Sequence, residues 1–271
     1  MNEANVFNHQ GYVVVKKLFD RRDIEKLTTI IDRIHSQWLN ENHADFIEHK
    51  LVNMHSLTSP RYFGGHEVER LLFFQTIASN RLTHLLDDMF GDGLYFHNTQ
   101  LFFNPFENTR PPYWHRDMQY TPIDDSVLEN EQQNMLTLHV RIPLVHEKRV
   151  ELIPGTHKRW DTGLERNVRL ELSGHKNSED LPGAVLIELA PGDVLIFNAQ
   201  MIHRGNYRQN KSRKALDLCL GKQHPFTSQY IDESTLPSTG ELDQIENNQW
   251  YKAARDIIAK SQDNSGVSAK G

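Results

Sequence analysis

The sequence predicts a mainly β domain, a sandwich or barrel with helices flanking it, and two observations predict it. From Leu94 onward short β-rich runs dominate: LYFHNTQLFFN, MLTLHVRIPLV, VELIP, AVLIELA, DVLIFNAQMIH and KALDLCLG. Turn signals separate them, at Asn104–Pro105, Pro154–Gly155, Pro182–Gly183 and Pro191–Gly192. Many short strands joined by such turns build sandwiches and barrels. There is no βαβ alternation, no G-x-G-x-x-G and no P-loop, which argues against a nucleotide-binding parallel sheet.

The helices come first. Residues 22–39 place Ile24, Leu27, Ile30, Ile31, Ile34 and Leu39 near helical spacing, with Asp20 as a candidate N-cap. Residues 66–90 read as a second helical region that the GDG after Phe90 stops. The acidic, polar stretch 121–134 lies between two strands and reads as a long loop, hence a candidate lid. A late helix is expected over 240–260. Residues 1–261 are expected to form one domain with a helical N-terminal part, and 262–271 a disordered tail.

The chain has 271 residues, 38% hydrophobic and 24% charged, a globular composition. Its formal net charge is -6, so no basic excess is available to neutralise phosphates, and duplex nucleic acid is not an expected partner. The lone cysteine, Cys219, excludes an internal disulfide and any multi-cysteine metal site. The opening MNEANVFNHQGYVVV lacks a basic patch followed by an apolar run, so no secretory leader is expected. No apolar stretch is long enough to span a bilayer, and a cytoplasmic location is the expectation.

Fifteen histidines make a metal site worth seeking. In Tyr113–Trp114–His115–Arg116–Asp117 the His and Asp are two apart. On a strand such residues share a face, so both can reach one metal. His203 ends the strongly apolar LIFNAQMIH and offers a third ligand. Two imidazoles and one carboxylate on one face leave open positions, the arrangement suited to Fe(II) oxygen chemistry. HxD alone is a weak signal, and His43–Ala44–Asp45 repeats it in a polar N-terminal segment without a strand pattern. Arg213 follows His203 after the turn RGNYRQNKS. A hairpin of that length would return it to the metal, where a guanidinium could pair with the carboxylate of a chelating keto acid.

These segments resemble the phytanoyl-CoA dioxygenase family of Fe(II)/2-oxoglutarate oxygenases. The resemblance covers most of residues 7–221. It runs from FNHQGYVVVKKLFDRRDIEKL through LFFNPFENTRPPYWHRDMQY, HVRIPL, ELIPGTHKRW and APGDVLIFNAQMIHRGN to SRKAL. It implies a double-stranded β-helix, a jelly-roll or cupin-like barrel. It implies His115, Asp117 and His203 as iron ligands and Arg213 as the partner of the far carboxylate of 2-oxoglutarate. Gln100 and Thr137 are the further cofactor contacts expected. The chain departs from the family at Arg141, where a Trp is common, and at Gly205, where a Ser is common. The turn before Arg213 is one residue shorter than is typical.

The implied reaction uses O₂ and 2-oxoglutarate to oxidise a C–H bond of a small organic molecule and releases succinate and CO₂. Related halogenases replace the carboxylate ligand with a small residue, so Asp117 favours hydroxylation, or a related desaturation or ring closure. Thr137, His139 and Arg141 alternate along one strand and share a face. Arg141 and His139 are therefore candidate substrate contacts, and Arg141 points to an anionic substrate unless an internal acid pairs with it. The competing class is a non-catalytic cupin-like binding module whose metal site is vestigial.

Overall fold

The computed structural model describes residues 2–108 and 110–268. Helix α1 (Glu3–Gln10) leads into strand β1 (Tyr12–Val15). Then come α2 (Arg21–Glu41), α3 (His43–Glu48), β2 (Asn53–His55), α4 (Glu67–Ile77), α5 (Asn80–Phe90) and β3 (Leu94–Phe103). The chain continues through α6 (Asp125–Glu131), β4 (Thr137–Pro143), β5 (Glu147–Leu152), α7 (Gly163–Arg169) and β6 (Val185–Leu189). It ends with β7 (Val194–Asn198), β8 (His203–Gly205), β9 (Lys214–Lys222), α8 (Thr239–Leu242) and α9 (Gln249–Ser268).

The strands form two antiparallel sheets, a major one in the order β1-β7-β4-β9-β3-β2 and a minor one in the order β6-β5-β8. This is the jelly-roll arrangement the sequence predicts, with helices outside it. Alternation decides which face meets which layer. Leu138, Val140 and Ile142 of β4 and Leu216, Leu218 and Leu220 of β9 join the helix-side core with Leu27, Ile31 and Ile34 of α2. The opposite faces carry Thr137, His139 and Arg141, with Asp217 and Cys219 beside them. A fully buried leucine contributes roughly 1.5–3 kcal/mol. The helix side therefore supplies most of the stability, and the inward face is left for polar groups. A smaller core of Val150, Leu152, Ile187, Leu189, Leu195, Phe197 and Met201 spans both sheets.

Helix α2 is capped as expected, the Asp20 carboxylate accepting the Asp23 N–H at 2.9 Å. Trp38 rather than Leu39 completes its buried stripe, and Leu39 stays half-buried. The second helical region is two helices. Ser79 takes extended backbone (ψ 149) and breaks the pattern between α4 and α5. The stretch expected as a loop holds α6, and Leu128 packs there with Met118 and Met135. The last helix runs to Ser268, past the boundary expected at residue 261, because no proline stops it. Residues 269–271 of the expected tail lie outside the described residues. Among the described residues no helix is long and apolar enough to cross a membrane.

Gly11 ends α1 in the left-handed region (φ 86), its N–H donating to Phe7 O at 2.7 Å. A Cβ there would lie 2.5 Å from His157 Nδ1 and 2.7 Å from Met201 Sδ. Gly11→Ala is expected to destabilise the fold by about 2–5 kcal/mol, combining left-handed strain with overpacking. Chemical denaturation measures this, and an unchanged midpoint would show the turn relaxing freely.

Candidate metal centre and cofactor cavity

His115 and His203 are joined by a lone antiparallel bridge, each N–H donating to the other's carbonyl at 3.0 Å. Their rings lie 4.2 Å apart, centroid to centroid. Asp117 does not continue a strand. It opens a short 3₁₀ turn (Asp117–Tyr120), and its N–H reaches Ala199 O at 3.3 Å. The turn, rather than the period of a strand, returns its carboxylate to the two histidines. Asp117 Oδ1 sits 3.6 Å from His115 Nε2 and 3.3 Å from His203 Nε2.

The donor set fits a divalent ion. One ligand atom from each of His115, Asp117 and His203 lies within 4.8 Å of the others. Nδ1 of His115 is 3.1 Å from the Tyr113 carbonyl, and Nδ1 of His203 is 3.0 Å from the Met201 carbonyl. A carbonyl only accepts, so each Nδ1 carries a proton, which leaves each Nε2 as the nitrogen available to an ion. Burial, helped by the neighbouring His203, pulls His115 down to about 3, so its ring is neutral. Burial alone would raise Asp117, but His139 and His203 outweigh it and hold the carboxyl well below its usual range. Neutral imidazole and ionised carboxylate are the ligating forms. The His43–Asp45 pair lies on α3 and takes no part in this group.

Arg116, between two of the ligands, points the other way. It is 2% exposed, donates to the Thr156 and Gln200 carbonyls, and pairs with Asp161 at 2.8 Å. This pins the segment carrying His115 and Asp117 to the turn after β5 and the turn before β8. The Trp114 indole N–H donates to Glu179 O at 2.8 Å, and its ring packs with Ile153 and Ile202.

A chain of buried charges backs the centre. His139 Nε2 lies 2.6 Å from Asp117 Oδ2 and its Nδ1 2.9 Å from Asp217 Oδ2. Ionised carboxylates only accept, so His139 needs a proton on both nitrogens. Burial opposes that charge, but Asp117 and Asp217 prevail and raise His139 to about 9. Arg141 holds Asp217 with two hydrogen bonds, 2.7 and 2.8 Å, and its Nη1 is 3.6 Å from Glu147 Oε1. Glu147 Oε1 in turn accepts from Arg213 Nε at 2.5 Å. The sequence nominates Arg141 and His139 as substrate contacts. The structure instead commits their polar atoms to Asp217, Glu147 and Asp117, although both rest against the cavity walls.

Arg213 reaches the cavity by a route other than a hairpin. β8 and β9 belong to different sheets, and the segment between them crosses from one to the other. The Arg213 guanidinium is 5.2 Å from the Phe102 ring centroid and 5.3 Å from that of Tyr207. Its Nη1 is buried with no partner. A buried guanidinium with an unused donor fits the far carboxylate of a keto acid. Gly205 makes room for it: a Cβ there would lie 2.8 Å from Arg213 Nη2.

The cavity has a volume of about 370 Å³ and is walled by His115, Asp117, His203, Arg213, Tyr207 and Gln100 among others. Of the residues singled out from sequence, it gathers the three candidate ligands, Arg213, Gln100, His139 and Arg141. Thr137 lines a neighbouring cavity instead, and its Oγ1 accepts from Gln200 Nε2 at 3.0 Å. Sequence reasoning misses Asp217, Glu147, Arg116 and Tyr207. Asp217 had a signal, as the one charge inside ALDLCLG on the inward-facing parity of β9. Glu147, in VHEKRVEL, had none, because a charged run reads as a solvated strand.

A jelly roll that presents two histidines, one carboxylate and a buried arginine to a single cavity has the parts that a metal- and keto-acid-dependent oxygenase needs. The chain belongs to the phytanoyl-CoA dioxygenase family, whose signature, Phytanoyl-CoA dioxygenase (PhyH), matches residues 7–215. It is an oxidoreductase of the 2-oxoglutarate-dependent dioxygenase class, and its His115, Asp117 and His203 could hold a metal ion. It is similar to the ectoine dioxygenase of Sphingopyxis alaskensis, 21% identical over 218 residues that cover 75% of this chain and 69% of that protein. The crystal structure of EctD from S. alaskensis in its apoform superposes with a TM-score of 0.56 at 18% identity, covering 86% of this chain and 79% of that one. The epimerase SnoN from nogalamycin biosynthesis superposes with a TM-score of 0.53 at 14% identity, covering 81% and 79%.

Proposed function

We propose that the enzyme hydroxylates an unactivated C–H bond of a small organic metabolite, with His115, Asp117 and His203 holding Fe(II) and Arg213 holding the far carboxylate of 2-oxoglutarate. One observation carries this reading: the three ligand residues converge on the cavity that Arg213, whose guanidinium keeps an unpartnered nitrogen, also lines. When bound, iron and 2-oxoglutarate supply the oxidising power, and O₂ delivers one atom to the substrate hydroxyl and the other to succinate as CO₂ leaves.

The chain's own residues bind, orient and exclude. His115 and His203 aim Nε2 at the ion site, and Asp117 stays ionised under its bond from His139. Glu147, Phe102 and Tyr207 hold the Arg213 fork in one plane, which favours two parallel bonds to a carboxylate over one. Charge balance supports a dianionic co-substrate. His139, Arg141 and Arg213 face Asp117, Asp217 and Glu147 three against three, so a divalent cation is best matched by a dianion. Val150 and Phe197 line the same cavity and keep water from the oxidising centre.

Anaerobic addition of Fe(II) and then 2-oxoglutarate is the test. A weak visible charge-transfer band, followed by succinate formation on admitting O₂, is the expected result. No band and no succinate would leave a binding module with a vestigial metal site. Gly205→Ala is expected to raise the 2-oxoglutarate KM about fivefold or more, because overpacking costs roughly 1–3 kcal/mol and Arg213 is held on its other sides. An unchanged KM would place the keto acid elsewhere.

A further inference from the structure

A second cavity, of about 260 Å³, adjoins the first and shares Gln100, Asp117 and His139 with it. Of the three candidate ligands it touches only Asp117. It therefore borders the metal centre from another side than the cavity of Arg213.

A backbone irregularity builds its wall. In β3, Phe96 pairs with Leu220 and Asn98 with Cys219, so His97 is an extra residue in a β-bulge. Tyr95 lines the second cavity and Gln100 lines both, although five residues apart on a regular strand would put them on opposite faces. The bulge shifts the phase. Tyr95 before it, His97 in it, and Gln100 and Phe102 after it all face cavities. His97 Nδ1 is buried with no hydrogen-bond partner. A buried polar group left unpaired costs about 1–3 kcal/mol, which a small turn of the ring toward the cavity and a ligand's hydrogen bond would offset.

The chemistry of the walls selects an occupant. Thr121, Thr137, Gln200 and Thr227 offer neutral donors and acceptors, and Met118 and Leu220 offer apolar surface. No Arg or Lys lines the cavity among the described residues. His139 does, but its two nitrogens are taken by Asp117 and Asp217. A carboxylate or phosphate here would be desolvated with no Arg or Lys to pair it, since the charge on His139 is already shared between Asp117 and Asp217, at a cost of several kcal/mol. Sequence reasoning points to an anionic substrate through Arg141, and that guanidinium is spent on Asp217. The volume falls below the roughly 300–1,000 Å³ of drug-sized sites, so the occupant is small.

We propose that this second cavity is the substrate chamber, that His97 is a specificity-determining residue in it, and that the substrate is a compact uncharged molecule bearing hydroxyl, amide or carbonyl groups. This rests on the oxygenase reading above. It also assigns Thr137 to the substrate rather than to 2-oxoglutarate.

The experiment uses the Fe(II)-loaded full chain with 2-oxoglutarate and O₂. Uncharged polyols, lactams and hydroxylated rings, inositol and 2-pyrrolidone among them, are compared with their carboxylate and phosphate-ester counterparts, such as pyroglutamate and inositol monophosphate. Succinate above the probe-free rate is the readout. Stimulation confined to uncharged members is expected; stimulation by an anionic member, or by none, overturns the assignment. On a stimulating compound, His97→Phe is expected to raise its KM about tenfold, the worth of one hydrogen bond. His97→Asn should recover part of that, with the 2-oxoglutarate KM within about twofold of the parent in both. A shift in the 2-oxoglutarate KM without a shift for the compound would overturn the chamber. Failure of the reading beneath is separately visible, since the parent enzyme would then show no charge-transfer band, and the proposal would fall with it.

Discussion

Arg213→Leu is expected to raise the 2-oxoglutarate KM by about thirtyfold to a few thousandfold, the equivalent of the 2–5 kcal/mol lost when one partner of a buried charged pair is truncated. The guanidinium is 3% exposed and fixed by Glu147, Phe102 and Tyr207. The parent side chain is thus oriented before the co-substrate arrives. The same substitution strands Glu147, whose Oε2 already lacks a partner and whose remaining cation is Arg141 at 3.6 Å. Breaking a buried pair costs up to about 3–5 kcal/mol and Arg141 offsets only part of it, so the melting temperature should fall as well. The two effects separate in the double variant Arg213→Leu/Glu147→Leu. It should recover most of the stability, because no charge is left unpaired, and none of the affinity. Arg213→Lys should lie between, keeping the charge and losing the fork. Titrating the charge-transfer band measures affinity, and thermal unfolding measures stability. An Arg213→Leu enzyme with parental affinity for 2-oxoglutarate would remove Arg213 from the proposed site.

How much of this was legible in the sequence depends on the range of the signal. Strand parity is local, so the shared face of Thr137, His139 and Arg141 reads directly from TLHVR. The apolar side of α2 reads equally well from its spacing. The convergence of His115 with His203 is not local: the apolar strand LIFNAQMIH nominates His203 as a third ligand, and the resemblance to a family strengthens the nomination. The route that brings Arg213 back is least legible. A turn of its length reads as a hairpin, yet the chain crosses between sheets there, and what anchors it is Asn210, whose side chain bonds both the N–H and the carbonyl of Lys148 at 2.8 Å. The fates of Arg141 and His139 were hidden for a related reason. A buried arginine read alone invites a ligand, and only the register that sets Arg141 opposite Asp217 shows it to be satisfied from within. The bulge at His97 leaves no mark in LYFHNTQLFF beyond a pattern whose phase slips, which unaided reading takes for a fully buried strand.

Asp117→Ala is expected to lower Fe(II) affinity by more than about a hundredfold and turnover by at least about a thousandfold. The outer-shell partner of a metal ligand is worth roughly 10–100-fold, and a ligand exceeds its own support. A thousandfold is about 4 kcal/mol, within the several kcal/mol a bound metal ion contributes to a reaction. The substitution acts twice, because Asp117 also neutralises His139, to which it is bonded at 2.6 Å. With that carboxylate gone, His139 keeps Asp217, which it shares with Arg141. Its reason to hold both protons weakens, and Nε2 is left facing the space Asp117 vacated. His139→Gln isolates the supporting role. It keeps all three ligands, can still donate one hydrogen bond toward Asp117 and removes the charge, so iron affinity should fall by about 10–100-fold and no further. The order parent, His139→Gln, Asp117→Ala in both iron content and succinate rate is the signature of a ligand held by a relay. Equal losses in the two variants would mean that His139 is itself indispensable to the iron site. An Asp117→Ala enzyme that keeps its iron and its rate would show that the carboxylate is not a ligand.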